Sequence, residues 1–173
     1  MKNPLVFILP FLFAFASCLA QESKIDKSQL RLKGLKFDSE KKVIIETFGK
    51  PKKTFEPKNE CGFRSEAEQG KKYYQLTFDH LAFLGNESEK YGIEFIEFSD
   101  KSKIALQYGK FKFDHRLTID DLIKIFGKGI KKEINHQKNG NIEILVNFKN
   151  REDGLIFNFK SGNLVRIDYW SPC

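Results

Sequence analysis

The stretch TIDDLIKIFGKG, residues 118–129, decides how this chain folds. Thr118 offers a hydroxyl to cap a helix, and Asp121, three residues on, completes a capping box. Asp120 and Asp121 place negative charge in the first turn, where the helix dipole favours it. Ile119, Leu122, Ile123 and Phe126 fall at i, i+3, i+4 and i+7, one apolar stripe. Gly127 supplies the left-handed residue that ends the helix.

Residues 39–51, SEKKVIIETFGKP, carry a second copy. Ser39 is its cap, Ile44 and Phe48 share a face, Gly49 stops the helix and Pro51 prevents its resumption. The lead-ins match as well. Residues 30–38 align with 106–114 without gaps and share Leu, Lys, Phe and Asp; the Phe-Gly-Lys segments align after a two-residue difference.

Strand patterns surround both helices. Residues 29–37 alternate, with an irregularity near Gly34. Residues 52–71 read as a long loop. Residues 73–78 put Tyr74, Leu76 and Phe78 on one face, and the segment extends through 81–83 to the polar turn 85–90. Residues 91–98 are apolar on both faces, which marks a central or bulged strand. Residues 103–108 put Ile104, Leu106 and Tyr108 inward. Beyond the second helix, 142–148, 155–159 and 164–170 alternate, with Val165, Ile167 and Tyr169 inward in the last. Turns at Asn139-Gly140, Asp153-Gly154 and Ser161-Gly162-Asn163 separate them. Short strands at about ten-residue spacing argue an antiparallel meander. The expectation is an α+β fold of two similar halves, each a short helix on a meander, with one continuous or paired sheet. The halves are 29–104 and 105–173.

The first 20 residues read as a secretory signal peptide: Lys2, an apolar run over 5–15, then small residues. Two cleavage readings compete. Phe15-Ala16-Ser17-Cys18 resembles a bacterial lipobox, with Cys18 lipidated and anchoring the protein without a span. Cys18-Leu19-Ala20 before Gln21 also fits an ordinary site. Residues 21–28 read as a tether. The expected location is therefore periplasmic, membrane-anchored or secreted. Two cysteines then remain, Cys61 and Cys173, and an even count in an exported chain favours a disulfide. The net charge of +7 comes as scattered lysine pairs, a soluble surface and no nucleic-acid stripe. At 40% hydrophobic residues, with 18 Phe, the chain can fill a core and is not globally disordered.

The segment TIDDLIKIFGKG with its following meander, echoed by residues 43–51, resembles a family of exported modules. That family includes the β-lactamase-inhibitor proteins and the outer-membrane assembly lipoproteins of the SmpA/OmlA type. The resemblance implies binding rather than catalysis, through the sheet face away from the helices.

Phe-Asp-His occurs at 78–80 and at 113–115. An Asp beside a His can orient an imidazole or hold a metal. Neighbours on a strand point to opposite faces, so either pair needs the other to make a site. His136 lies in an expected loop. No nucleophile elbow, phosphate-cradling glycine loop or paired-Cys zinc pattern occurs, so no catalytic residue, cofactor or metal is assigned. The outer sheet face reads as Tyr73, Gln75, Thr77, Leu145, Ile156, Arg166, Asp168 and Trp170, and aromatic residues with Arg are the composition of binding hot spots. The functional expectation is an exported, non-enzymatic protein-binding module, with a protein partner and no nucleic acid. A small secreted enzyme or metal binder built on the Asp/His pairs is the alternative.

Overall fold

The computed structural model describes residues 23–57 and 70–172. Cys18, Cys61 and Cys173, and with them the expected signal peptide and the expected disulfide, lie outside the described residues. Helix α1 is Lys41–Phe48 and helix α2 is Ile119–Phe126. The α2 cap forms as the spacing predicts. The Asp121 amide donates to the Thr118 hydroxyl oxygen at 3.2 Å, and the Thr118 amide donates to the Asp121 carboxylate at 3.4 Å. Leu122, Ile125 and Phe126 are buried, and Gly127 ends the helix at φ 79°.

The cap of α1 differs from the expectation. Ser39 is buried and paired with Tyr91, and its hydroxyl donates to the Lys36 carbonyl at 2.9 Å. Glu40 takes the N-cap position and makes no side-chain cap bond. Strand pairing claimed Ser39 before the helix could.

Thirteen strands occur among the described residues: β1 Leu30–Leu32, β2 Leu35–Lys36, β3 Asp38–Ser39, β4 Lys53–Phe55, β5 Tyr74–Phe78, β6 Leu81–Gly85, β7 Tyr91–Glu97, β8 Leu106–Tyr108, β9 Phe111–Phe113, β10 Ile134–His136, β11 Ile142–Asn147, β12 Gly154–Lys160 and β13 Asn163–Trp170. A small sheet has the order β2-β1-β8-β9. A large one runs β10-β11-β12-β13-β7-β6-β5-β4, with β3 beside β7. The named strands pair antiparallel throughout, so the class is α+β.

Several expected strands are differently cut. Residues 29–37 are not one bulged strand but a hairpin, β1–β2, because Lys33 and Gly34 both take positive φ, 48° and 86°. Two left-handed central residues are what a tight hairpin turn needs. The lead-in at 111–113 is likewise a strand, and β8 begins at Leu106, so Ile104 lies outside it. Residues 53–55 form an exposed edge strand inside the expected loop. Asp79-His80 is a turn, with His80 at φ 63°, so β6 is separate from β5. The expected tether, in its part 23–28, is docked: Ile25 is 0% exposed and its amide donates to the Asn147 carbonyl at 2.9 Å. In β13 a bulge skips Val165, so Leu164 rather than Val165 enters the core.

One face of the large sheet carries the core. Phe48 of α1 packs on Phe78 and Phe83, with ring centroids 5.8 and 5.7 Å away. Phe126 of α2 packs on Phe157 at 6.4 Å and on Phe113 of the small sheet at 6.2 Å. Among the described residues, no helix is long and apolar enough to cross a membrane.

Candidate functional site

Residues opposite each other in a sheet share a face. The pairings therefore lay out one row across the outer face: Leu145, Ile156, Asp168, Phe95, Ala82 and Thr77. Four of the eight expected surface residues stand in this row. Arg166 stands in the next one, between Asn158 and Glu97. Gln75 donates to the Thr77 hydroxyl at 3.4 Å. Trp170 is opposite Gly154 at one end of β13, and Tyr73 precedes β5, with its hydroxyl donating to Glu89 at 2.8 Å.

Arg166 is held from three sides. Its Nη1 donates to Glu97 at 2.8 Å, its Nε donates to Asp168 at 2.7 Å, and its guanidinium lies 4.0 Å from the centre of the Phe95 ring. Asn158 donates to the other Asp168 oxygen at 2.9 Å. A planar fork stacked on a ring and bonded at both edges has little rotamer freedom left to lose on binding.

Glu94 is the group the sequence reading missed. The register shift between β6 and β7 leaves it unpaired, beside Phe95. Burial pushes its carboxyl up to about 7, the nearby Asp168 adds to the rise, and Arg166 opposes it. Desolvation raises the Asp168 carboxyl as well, against bonds from Arg166 and Asn158. The face thus sets three carboxylates, Glu94, Glu97 and Asp168, around one arginine. An ammonium or guanidinium brought to it would favour the ionised form of Glu94 and offset part of the excess negative charge. The signal for this site lay in 91–98, where acidic residues interrupt an apolar run, but the bulge that takes Glu94 out of the strand pairing leaves no mark on composition.

The two Asp-His pairs have separate surroundings. Asp79 pairs with Lys52, and His80 Nδ1 is 3.8 Å from the Glu97 carboxylate. Asp114 is 8% exposed and caps its own turn, accepting from the Arg116 amide at 3.0 Å and from its Nη2 at 2.8 Å. The Arg116 hydrogen bonds hold the Asp114 carboxyl at about 2. His136 ends the exposed strand β10. No group of three His, Cys, Asp or Glu among the described residues could hold a metal ion. No family model, no curated protein and no solved structure matches this chain.

Proposed function

We propose that the protein is an exported binding module, built as two copies of one unit in tandem, and that it presents the outer face of its large sheet to a protein partner. Several positions support the repeat. The large sheet reads β10-β11-β12-β13 from one edge and β4-β5-β6-β7 from the other. Residues 30–32 and 106–108, which align without gaps, pair with each other, Arg31 opposite Gln107 at the centre. At the join of the large sheet Ile96 faces Ile167. Two residues before each isoleucine a bulge skips one position, Glu94 in β7 and Val165 in β13. This plan is in keeping with the resemblance to β-lactamase-inhibitor and SmpA/OmlA-type modules, which implies binding through the same face.

The observation that carries the function is the arginine pinned on Phe95 beside the unpaired Glu94. Rigid aromatic and arginine anchors with a nearby unsatisfied charge are what a protein interface concentrates at its centre. The partner offers a cationic side chain to Glu94 and an apolar one to Ile156 and Leu145. The leader brings the module to the envelope or outside the cell, either by lipidation of Cys18 or by cleavage before Gln21.

Affinity capture from the native envelope tests this. The wild-type chain retains a defined protein, and Arg166→Ala and Trp170→Ala release it. Full retention by both variants would show that the wrong face has been chosen. Mass spectrometry of the mature N-terminus distinguishes a diacylated Cys18 from a chain beginning at Gln21.

A further inference from the structure

At the end of α1, away from the outer face, lies an open cavity of about 310 Å³. Its floor is apolar, made by Phe48, Phe78 and Leu81, and four lysines reach it: Lys33, Lys50, Lys52 and Lys103. They come from four separate places: the β1–β2 turn, the end of α1, the lead into β4 and the loop before β8. Among the described residues, Lys52 is the one of the four with a carboxylate, that of Asp79. Lys33, Lys50 and Lys103 have none within ion-pair distance among the described residues, and Lys33 instead lies 5.0 Å from the centre of the Phe48 ring. Among the described residues, four ammonium groups stand against one carboxylate, an excess of three positive charges around an apolar hollow.

The residues that follow the second helix take a different course. After α2 the chain enters the 3₁₀ helix Lys128–Glu133 and buries Ile130 to 1% exposure. After α1, Pro51 leads instead to the exposed strand β4, and Phe48 stays half-buried.

We propose that this cavity binds a small amphiphilic anion, a phosphate on an aromatic or short acyl body. Each part of the cavity has its counterpart in that ligand. Lysines serve as point charges for phosphate and adapt through their flexible stems. The phenylalanine floor takes an apolar body, and the volume lies at the small end for ligand sites, room for about one ring. Bulk phosphate alone would leave the floor unfilled, and a neutral aromatic would leave the charge unbalanced. The same chemistry could arrive on a soluble ester or on an anionic lipid headgroup.

Phenyl phosphate is the probe, titrated into the full chain by NMR and calorimetry. It shifts the signals of Phe48 and Leu81, and binds at least about tenfold more tightly than inorganic phosphate or benzyl alcohol. Lys33→Gln and Lys103→Gln each weaken it about three- to tenfold, and Trp170→Ala leaves it unchanged. That last control separates this site from the outer-face reading. Vesicles of phosphatidylglycerol, against phosphatidylcholine, identify the source. Retention lost in the lysine variants names a lipid headgroup, and phenyl phosphate binding without vesicle retention names a soluble anion. If neither probe shows binding that depends on Lys33 and Lys103, the proposal is overturned. Both are exposed lysines, so the variants keep the fold, and thermal melting checks this.

Discussion

Helix α2 is fixed by its own residues and by its neighbours, whereas α1 depends almost wholly on its neighbours. In α2 the capping box, the first-turn aspartates and three buried side chains all favour the same helix. In α1 no side chain caps, two lysines occupy the first turn, and Ile44 alone is buried. Lys41 is tied to Glu87, which draws one of those charges away from the helix end. The same contrast recurs in the sheet. The bulged position of β13 holds Val165, while that of β7 holds Glu94, whose carboxyl is raised to about 7 by burial. The second half is therefore locally the more self-consistent, and the first carries an uncapped helix, a half-buried carboxyl and the lysine-lined cavity. Departures of this kind concentrate where a protein has work other than folding.

The strongest way to break the comparison is to remove the last phenylalanine of each helix. Phe126 is 1% exposed and meets Tyr108, Phe113 and Phe157 at 5.5, 6.2 and 6.4 Å. Phe126→Ala is expected to cost about 3–5 kcal/mol, the range for a buried aromatic. Phe48→Ala removes a half-buried ring and should cost about 2 kcal/mol. Urea unfolding measures both. Equal costs would mean that the two helices are held alike after all.

The next test moves one half's residue into the other. Glu94 has a folded pKa of about 7 against an ordinary 4.5, so between those values the folded chain holds more protons than the unfolded one. Stability is therefore lost as pH rises from 4.5 to 7, and stays lower above. Glu94→Val, which copies the residue at the Val165 bulge, removes that loss. It should stabilise the protein by about 2 kcal/mol at pH 8 and change little at pH 4 through this effect. Melting temperatures across pH give the answer. A gain that is the same at pH 4 and pH 8 would assign it to packing instead. The same variant should weaken partner capture, since stability and binding draw on Glu94 in opposite directions.

What the sequence made legible follows the same division. Residues 118–126 announced their helix because cap, charge and period coincide, and 142–148 and 155–159 announced their strands by alternation. Lys33-Gly34 hid a hairpin, since lysine is not a residue expected in a left-handed turn. Ser39 was claimed by a strand pairing with Tyr91, a partner 52 positions away that no local pattern reveals. The outer face was readable wherever strict alternation held, as at Leu145, Ile156 and Asp168. It was lost at the two bulges, because a skipped residue puts the side chains on its two sides out of phase. Glu94 and Val165 are those residues.

A smaller effect tests the local contribution to α2. Thr118→Ala removes the acceptor of the Asp121 amide and should cost about 1 kcal/mol. Asp121 retains its contact with Lys124 at 3.1 Å, so the first-turn charge survives and only the cap is lost. Chemical denaturation is sufficient to read this, and a change below about 0.3 kcal/mol would mean that tertiary packing makes the box redundant.

The smallest expected effect is a gain, made by giving α1 what α2 has. Glu40 already has the extended backbone of an N-cap, φ −69° and ψ 143°, but its side chain makes no bond to the first amides. Glu40→Asp keeps the negative charge, which the two first-turn lysines and the helix dipole favour. It also shortens the chain to the length at which a carboxylate oxygen meets the amides of Lys42 or Val43. The expected gain is about 0.5 kcal/mol, a rise of one or two degrees in melting temperature for a domain of this size. Glu40→Ser separates the two contributions, since it offers the cap without the charge. If Asp and Ser both leave the melting temperature unchanged while Thr118→Ala lowers it, α1 is positioned by Ile44 and Phe48 against the sheet alone. Its open lysine-lined end would then be free to move with whatever fills the cavity.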